Sequence, residues 1–117
     1  MSASAHRVVL VTAPREEEAR RIARALVSAR LAACVNVLPG LRSHYRWKGR
    51  LHEDAEILLI VKTTARRVPA LVRFVKRRHS AQVPEIISLP ILEGAADYLA
   101  WIQKETSPSP RRVKSEK

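Results

Sequence analysis

One cysteine, three glycines and five aromatic rings (two Trp, two Tyr, one Phe) are all that 117 residues contain of the side chains that staple, bend or stack. The lone Cys34 has no intrachain disulfide partner, and it excludes any zinc arrangement drawing two or more thiolates from one chain. Stability must come from packing, within the chain or against other chains. Long apolar runs are also missing. The longest uninterrupted stretch of strongly apolar residues is Ile57 to Val61, far short of the roughly 20 that a membrane-spanning helix needs. Val8 to Val11 is too short for the apolar centre of a secretory signal, so a cytoplasmic chain with no membrane role is expected.

Acidic residues are scarce: 11 against 22 Lys and Arg, for a net charge of +11. That balance raises nucleic acid or another polyanion as a partner. Residues 106–117 carry Arg111, Arg112, Lys114 and Lys117 against Glu116, which puts +3 on a basic Ser/Pro tail and +8 on the body. Hydrophobic residues at 46% and charged ones at 28% fit one globular domain, expected over 1–105, followed by a flexible tail over 106–117.

Periodicity supplies the elements. Arg7 to Thr12 is a β-branched run, closed by Ala13-Pro14, and reads as a buried strand. A helix follows, with Pro14 in its first position and Glu16, Glu17 and Glu18 at the positive end of its dipole. Its apolar stripe is Ala19, Ile22, Ala23, Leu26 and Ala29. Cys34 to Leu38 is a second strand, Pro39-Gly40 a bulge or bend, and Leu41 to Trp47 its continuation. Lys48-Gly49 turns the chain into a third strand, Arg50 to Thr64. A second helix covers Arg66 to His79, a short strand Glu85 to Leu89, and a third helix Ala95 to Lys104. The order βαββαβ(α) is the α+β, ferredoxin-like arrangement: an antiparallel sheet with two helices on one face.

The hairpin is too long for its body. Fourteen residues from Cys34 to Trp47 reach roughly 46 Å at about 3.3 Å each. A domain of this size is about 35 Å across. The hairpin is therefore expected to overhang and to dock on neighbouring chains, burying Leu41, Tyr45, Trp47 and Leu51. The alternative is that Pro39-Gly40 folds the tip back.

Several stretches, in order, resemble one family: Val8-Val-Leu-Val-Thr-Ala-Pro14, Ala23-Arg-Ala-Leu26, Leu31-Ala-Ala-Cys-Val-Asn-Val-Leu-Pro-Gly40, Tyr45-Arg-Trp-Lys-Gly49, Glu56-Ile-Leu-Leu-Ile-Val-Lys-Thr63, Val83-Pro-Glu85 and Tyr98-Leu-Ala-Trp-Ile102. Together they are similar to the CutA divalent-cation tolerance proteins. The resemblance implies a homotrimer of ferredoxin-like subunits, with the hairpin at the interface, intersubunit clefts, and a role in tolerance of copper and other divalent cations. Its outline is also similar to signalling trimers of the PII type, which bind small ligands between subunits. The alternative function is such a signalling or structural trimer, docking an acidic protein with no direct metal role.

For a metal, the candidates are His79, Glu85 and Cys34. His79 and Glu85 supply imidazole and carboxylate across Pro84, and Cys34 could hold copper(I) as thiolate. Against these stand a helix-terminal histidine favoured by the dipole and a small apolar filler. The family commonly reads His-Pro-Tyr where this chain has His79-Ser80-Ala81, so the proline and aromatic are missing. His6, His44 and His52 read as surface residues.

The resemblance adds Tyr45, Trp47, Lys48, Glu56 and Lys62 as a ligand cleft for a small anion or metal, with Lys62 near Glu85, and Trp101 at the trimer interface with the hairpin residues. No cofactor is required on this reading beyond a possible divalent cation such as copper. The two central strands carry no aromatic for base stacking, which argues against nucleic acid. No nucleophile–base pair, glycine-rich phosphate loop or HExxH motif points to an enzyme.

Overall fold

A computed structural model describes residues 5–108. The elements are β1 (His6–Ala13), α1 (Glu16–Ser28), β2 (Cys34–Trp47), β3 (Arg50–Thr64), a 3₁₀ turn (Ala65–Arg67), α2 (Val68–Arg78), β4 (Ile86–Pro90) and α3 (Ala96–Glu105). All strand pairs are antiparallel and the sheet runs β2-β3-β1-β4, which is the ferredoxin-like arrangement.

Strand alternation decides which side chains meet the helices. Val9, Val11 and Ala13 of β1 pair across from Val61, Leu59 and Ile57 of β3, and all six are buried. Ala19, Ile22, Ala23 and Leu26 of α1, with Leu71 and Val75 of α2, close this core from one side. The even positions face the other way. There, Leu10 lies between Ile60 and Ile87, and Leu58 lies beside Leu38. Leu38 and Ile87 remain about half exposed, so an apolar sheet face stands largely bare in the single chain.

Helix α3 covers one end of that face. Ile102 is fully buried, and the Leu99 carbonyl lies 2.9 Å from His6 Nε2, which makes His6 a half-buried contact of α3 instead of a surface residue. Arg30, at φ +59, sends Nε to the Ser107 carbonyl and Nη2 to that of Lys104, a cation at the negative end of α3. Thr106 is buried, its hydroxyl donating to the Ile102 carbonyl. The folded body therefore extends past the expected boundary at 105. The rest of the expected tail, from residue 109, lies outside the described residues.

Helix boundaries shift from expectation by one or two residues, α2 beginning at Val68 after the 3₁₀ turn instead of at Arg66 and α3 spanning Ala96–Glu105. Arg15 is extended at φ −135, ψ 149 and caps α1, so Pro14 precedes the helix. His79 has ψ 141, so it has left α2 and starts the following loop.

The hairpin does not fold back. Pairing is interrupted only between Leu38 and Leu41, where Gly40 takes φ +94, and then continues to Trp47 opposite Arg50. The molecule consequently spans 55 × 33 × 22 Å, with a radius of gyration of 15.8 Å against about 13 Å for a compact chain of similar size. At the tip, Lys48 and Gly49 both take positive φ, +51 and +77, as a two-residue type I′ turn requires. A Cβ at Gly49 would meet nothing within 4 Å, so only backbone strain opposes a side chain there. Gly49→Val should lower stability by about 1–2 kcal/mol in denaturant unfolding, and Gly49→Asn by clearly less. Equal loss for both would contradict this turn geometry.

Candidate functional site

The overhang leaves a hollow between the hairpin and the loop that follows α2. β2 contributes Ser43, His44, Tyr45 and Trp47, β3 contributes Glu56, and the loop contributes His79 and residues 81–85. Thr12 completes the lining, and the volume is about 530 Å³. Five candidate residues, Tyr45, Trp47, Glu56, His79 and Glu85, thus share one cleft within a single chain.

The hairpin wall is held by its own polar side chains. Ser43 Oγ donates to Glu56 at 2.7 Å. The Tyr45 hydroxyl donates to the Asp54 carboxylate, and its ring stacks on His52 with centroids 5.2 Å apart and planes 13° from parallel. The bond to Asp54 pushes the Tyr45 phenol above its ordinary pKa, helped by partial desolvation and by the neighbouring Glu56 charge. Lys48 Nζ lies 5.9 Å from the Trp47 ring centroid.

The loop wall is held from below by a buried carboxylate. Glu18, whose side chain is fully buried, accepts the Ser80 N–H at 2.8 Å, the Ser80 hydroxyl at 2.8 Å and Arg15 Nη2 at 3.1 Å. Burial alone would raise its pKa. The two Ser80 hydrogen bonds, with the Arg15 guanidinium beside them, outweigh burial and hold the carboxyl below its ordinary value of 4.5. A proline at position 80 would have no N–H to give. Serine at 80, where the pattern has proline, thus supplies the N–H that the buried Glu18 accepts.

His79 is committed to the same wall. Its Nδ1 accepts the Ala81 N–H at 3.0 Å, which assigns the proton to Nε2, and Nε2 donates to the Thr12 carbonyl at 2.6 Å. With its side chain only 2% exposed and both nitrogens occupied, His79 has no lone pair to offer a cation in this arrangement.

The other candidates lie elsewhere. Cys34 pairs with Lys62, which pairs with Val8, whereas Glu85 adjoins Ile86 opposite Val11 at the other end of β1. Cys34 therefore does not converge with His79 and Glu85, and among the described residues no group of three His, Cys, Asp or Glu could hold a metal. The expected approach of Lys62 to Glu85 is not made either. Lys62 Nζ donates to Asn36 Oδ1 on the neighbouring strand. Cys34 is half-buried beside the Tyr98 hydroxyl, whose pKa is raised by burial and then by the thiol. Lys48 sits in the hairpin turn. Leu41 is half-buried, Leu51 is 76% exposed, and Trp101 is exposed and tilted against Tyr98.

Glu18 and Ser80 are the members of the site that sequence reasoning misses. A signal for the first is present, because Glu18, Ile22 and Leu26 recur every fourth residue and so share the buried stripe.

Residues 7–105 match the family described as CutA1 divalent ion tolerance protein. The chain belongs to the CutA family. It is 57% identical over 99 residues to the divalent-cation tolerance protein CutA of Thermus thermophilus, covering 85% of this chain and 96% of that one. It is 48% identical over 96 residues to mouse protein CutA, covering 82% of this chain and 54% of the relative, about half its length. A solved structure of the divalent cation tolerance protein (Cut A1) from Thermus thermophilus superposes with a TM-score of 0.85 at 55% identity, over 87% of this chain and 99% of that one.

The lowered Glu18 pKa means that its stabilisation is complete above about 4.5, the ordinary value, and is lost as pH falls through the lower folded value. Glu18→Gln should cost about 1.5–3 kcal/mol near neutrality and flatten the acid limb of stability against pH. An unchanged acid limb would count against the latch. Ser80→Pro, although it installs the family's common residue, should also destabilise, and Glu18→Leu should recover part of that loss in a double-mutant cycle.

Proposed function

We propose that this CutA protein works in the cytoplasm as a homotrimer that binds divalent cations, copper among them, or a small ligand in its clefts. The observation that carries the binding role is the cleft itself, where Glu56 and Glu85 meet Tyr45 and Trp47. The fit to a metal is to a solvated, exchangeable ion and not to a closed centre: two carboxylates supply oxygens, water completes the shell, and neither Cys34 nor a free His79 nitrogen contributes.

The trimer is supported by the bare sheet face carrying Leu10, Leu38, Leu58, Ile60 and Ile87, and by the overhanging hairpin, whose Leu51 needs cover. A cytoplasmic location is supported by the single unpaired cysteine. Binding without catalysis is supported by the polar network of the loop. Ser80 Oγ donates to Glu18, a carboxylate whose lowered pKa makes it a weak base, while His79 donates to a backbone carbonyl, so no imidazole faces that hydroxyl.

One observation favours the alternative of an acidic protein partner. Arg66, Arg73, Lys76, Arg77 and Arg78 are exposed, with no carboxylate anywhere between Ala65 and His79. Retention of such a partner would weaken steeply with salt.

Light scattering should give about three times the chain mass of 13.2 kDa. Calorimetric titration with copper(II) should show binding that Glu85→Gln weakens severalfold and Cys34→Ser leaves unchanged. A monomer, or copper binding lost with Cys34 and indifferent to Glu85, would overturn this reading.

A further inference from the structure

The positive charge of this protein is concentrated in one element. Between Ala65 and His79 stand Arg66, Arg67, Arg73, Lys76, Arg77 and Arg78 and no carboxylate, so this stretch holds +6 of the net +11. Residues 106–117 hold another +3, which leaves the remaining chain close to neutral at +2. Helix α1 shows the ordinary arrangement: Glu16 and Glu17 begin it, and each pairs with an arginine four residues on. In α2 the helix dipole accounts for Lys76, Arg77 and Arg78 in the last turn. It does not account for Arg73 in the middle, and it opposes Arg66 and Arg67 at the start. Arg73 also has Lys76 and Arg77 three and four residues on, like-charged neighbours that weaken a helix. Among the described residues none of the six takes part in an ion pair.

Neither the chain nor its copies would cover this surface. α1 and α2 close the core from one side of the sheet, and the bare apolar face proposed for the trimer is the other. The overhanging hairpin needs apolar cover, and no large hydrophobic residue is exposed between Ala65 and His79. Hairpin charge does not answer it either, since residues 41–56 are themselves net positive. Residues 109–117 carry the same sign.

The occupant is therefore a separate polyanion, and the make-up of the surface selects its class. A protein partner would meet an apolar centre, and a lipid surface an apolar stripe, whereas the apolar stripe of α2, with Leu71 and Val75, is buried in the core. Single strands stack their bases on exposed aromatics. The one ring here, Phe74, is half-buried, with Arg78 Cζ 3.6 Å from its centroid. Arg78 Nη1 donates to the Phe74 carbonyl and Arg67 Nε to that of Arg30, so both ends of the row are set before anything binds. Five of the six cations are arginines, whose planar forks match phosphate oxygens.

We infer that the outer side of α2 binds the phosphate backbone of a nucleic-acid duplex without reading its sequence. The lack of aromatics on the central strands excludes base stacking on the sheet, and is no obstacle to a helix that meets phosphates alone. The surface is the one an acidic protein would otherwise use, and it is independent of the cleft.

Anisotropy of a labelled DNA duplex of about 20 base pairs, titrated with the full chain, should show binding that weakens about 100-fold between about 50 and about 200 mM salt, as roughly four phosphate contacts require. Two duplexes of unrelated sequence should bind within about twofold of each other, and a single strand of equal length more weakly. Arg73→Gln with Arg77→Gln should weaken duplex binding at least about tenfold and lower the salt slope by about 2. The same pair should leave the oligomer unchanged in light scattering and the thermal midpoint equal or higher, because a like-charged pair is removed. Arg111→Gln with Arg112→Gln, in the tail, should change duplex binding far less. Binding lost with the tail pair and indifferent to the α2 pair would overturn the inference. So would tighter binding of polyglutamate than of DNA, which would give the surface to an acidic protein, or binding to phosphatidylserine vesicles without binding to DNA. Copper binding should survive the α2 pair, so the cleft and this surface stand or fall separately.

Discussion

β3 is 15 residues long and β1 is only eight, and most of this molecule's architecture follows from that mismatch. β1 pairs with β3 from Ile57 to Thr64, leaving residues 50–56 with a single neighbour, β2. A two-stranded ribbon has no third strand or helix to bury its side chains, so it must overhang and present Tyr45, Trp47 and Leu51 to whatever lies beside it. The same overhang makes one wall of the cleft. The overhang and the candidate site therefore share a cause, and a change that shortened the ribbon would remove both.

The helix-facing half of the sheet is legible in the sequence because alternation and helical spacing agree there. Val9, Val11, Leu59 and Val61 face Ile22, Leu26, Leu71 and Val75 together, an arrangement that a one-residue slip of the strands would break. Overhang is legible from length alone. The gathering of Tyr45, Trp47, Glu56 and Glu85 is legible through the family resemblance and not through spacing, since the residues come from three separated segments. What fails is any statement about which end of the sheet a residue occupies. Lys62 is expected near Glu85, but the register sets it level with Val8 while Glu85 lies beyond the level of Val11. A sequence shows that a residue belongs to a strand more readily than it shows how far along the sheet its partner begins.

Glu18 shows a different limit. A glutamate in the first turn of a helix is explained by the dipole whether it points to solvent or into the protein, so the commonplace account hides the specific one. Glu16 and Glu17 do point outward, and each pairs with an arginine four residues on. Only Glu18 shares its face with Ile22 and Leu26. A buried carboxylate is tolerable only with donors around it, and the loop after α2 supplies two from Ser80 alone.

That dependence links the two unusual positions of the loop. With proline at 80, ring geometry would set the path of the chain; with serine, hydrogen bonds to α1 set it, and those bonds are strongest while Glu18 is ionised. The cleft wall in this chain is thus fastened to the core by charge where a proline would fasten it by covalent restriction. At the next position Ala81 gives its N–H to His79, and His79 in turn holds Thr12. Three consecutive residues therefore anchor the wall, His79 through its imidazole and Ser80 and Ala81 through backbone N–H groups and a hydroxyl, and neither of the last two needs a large side chain to do so. An aromatic at 81 is dispensable to the fold of this loop, and the space it would fill is left to whatever the cleft binds.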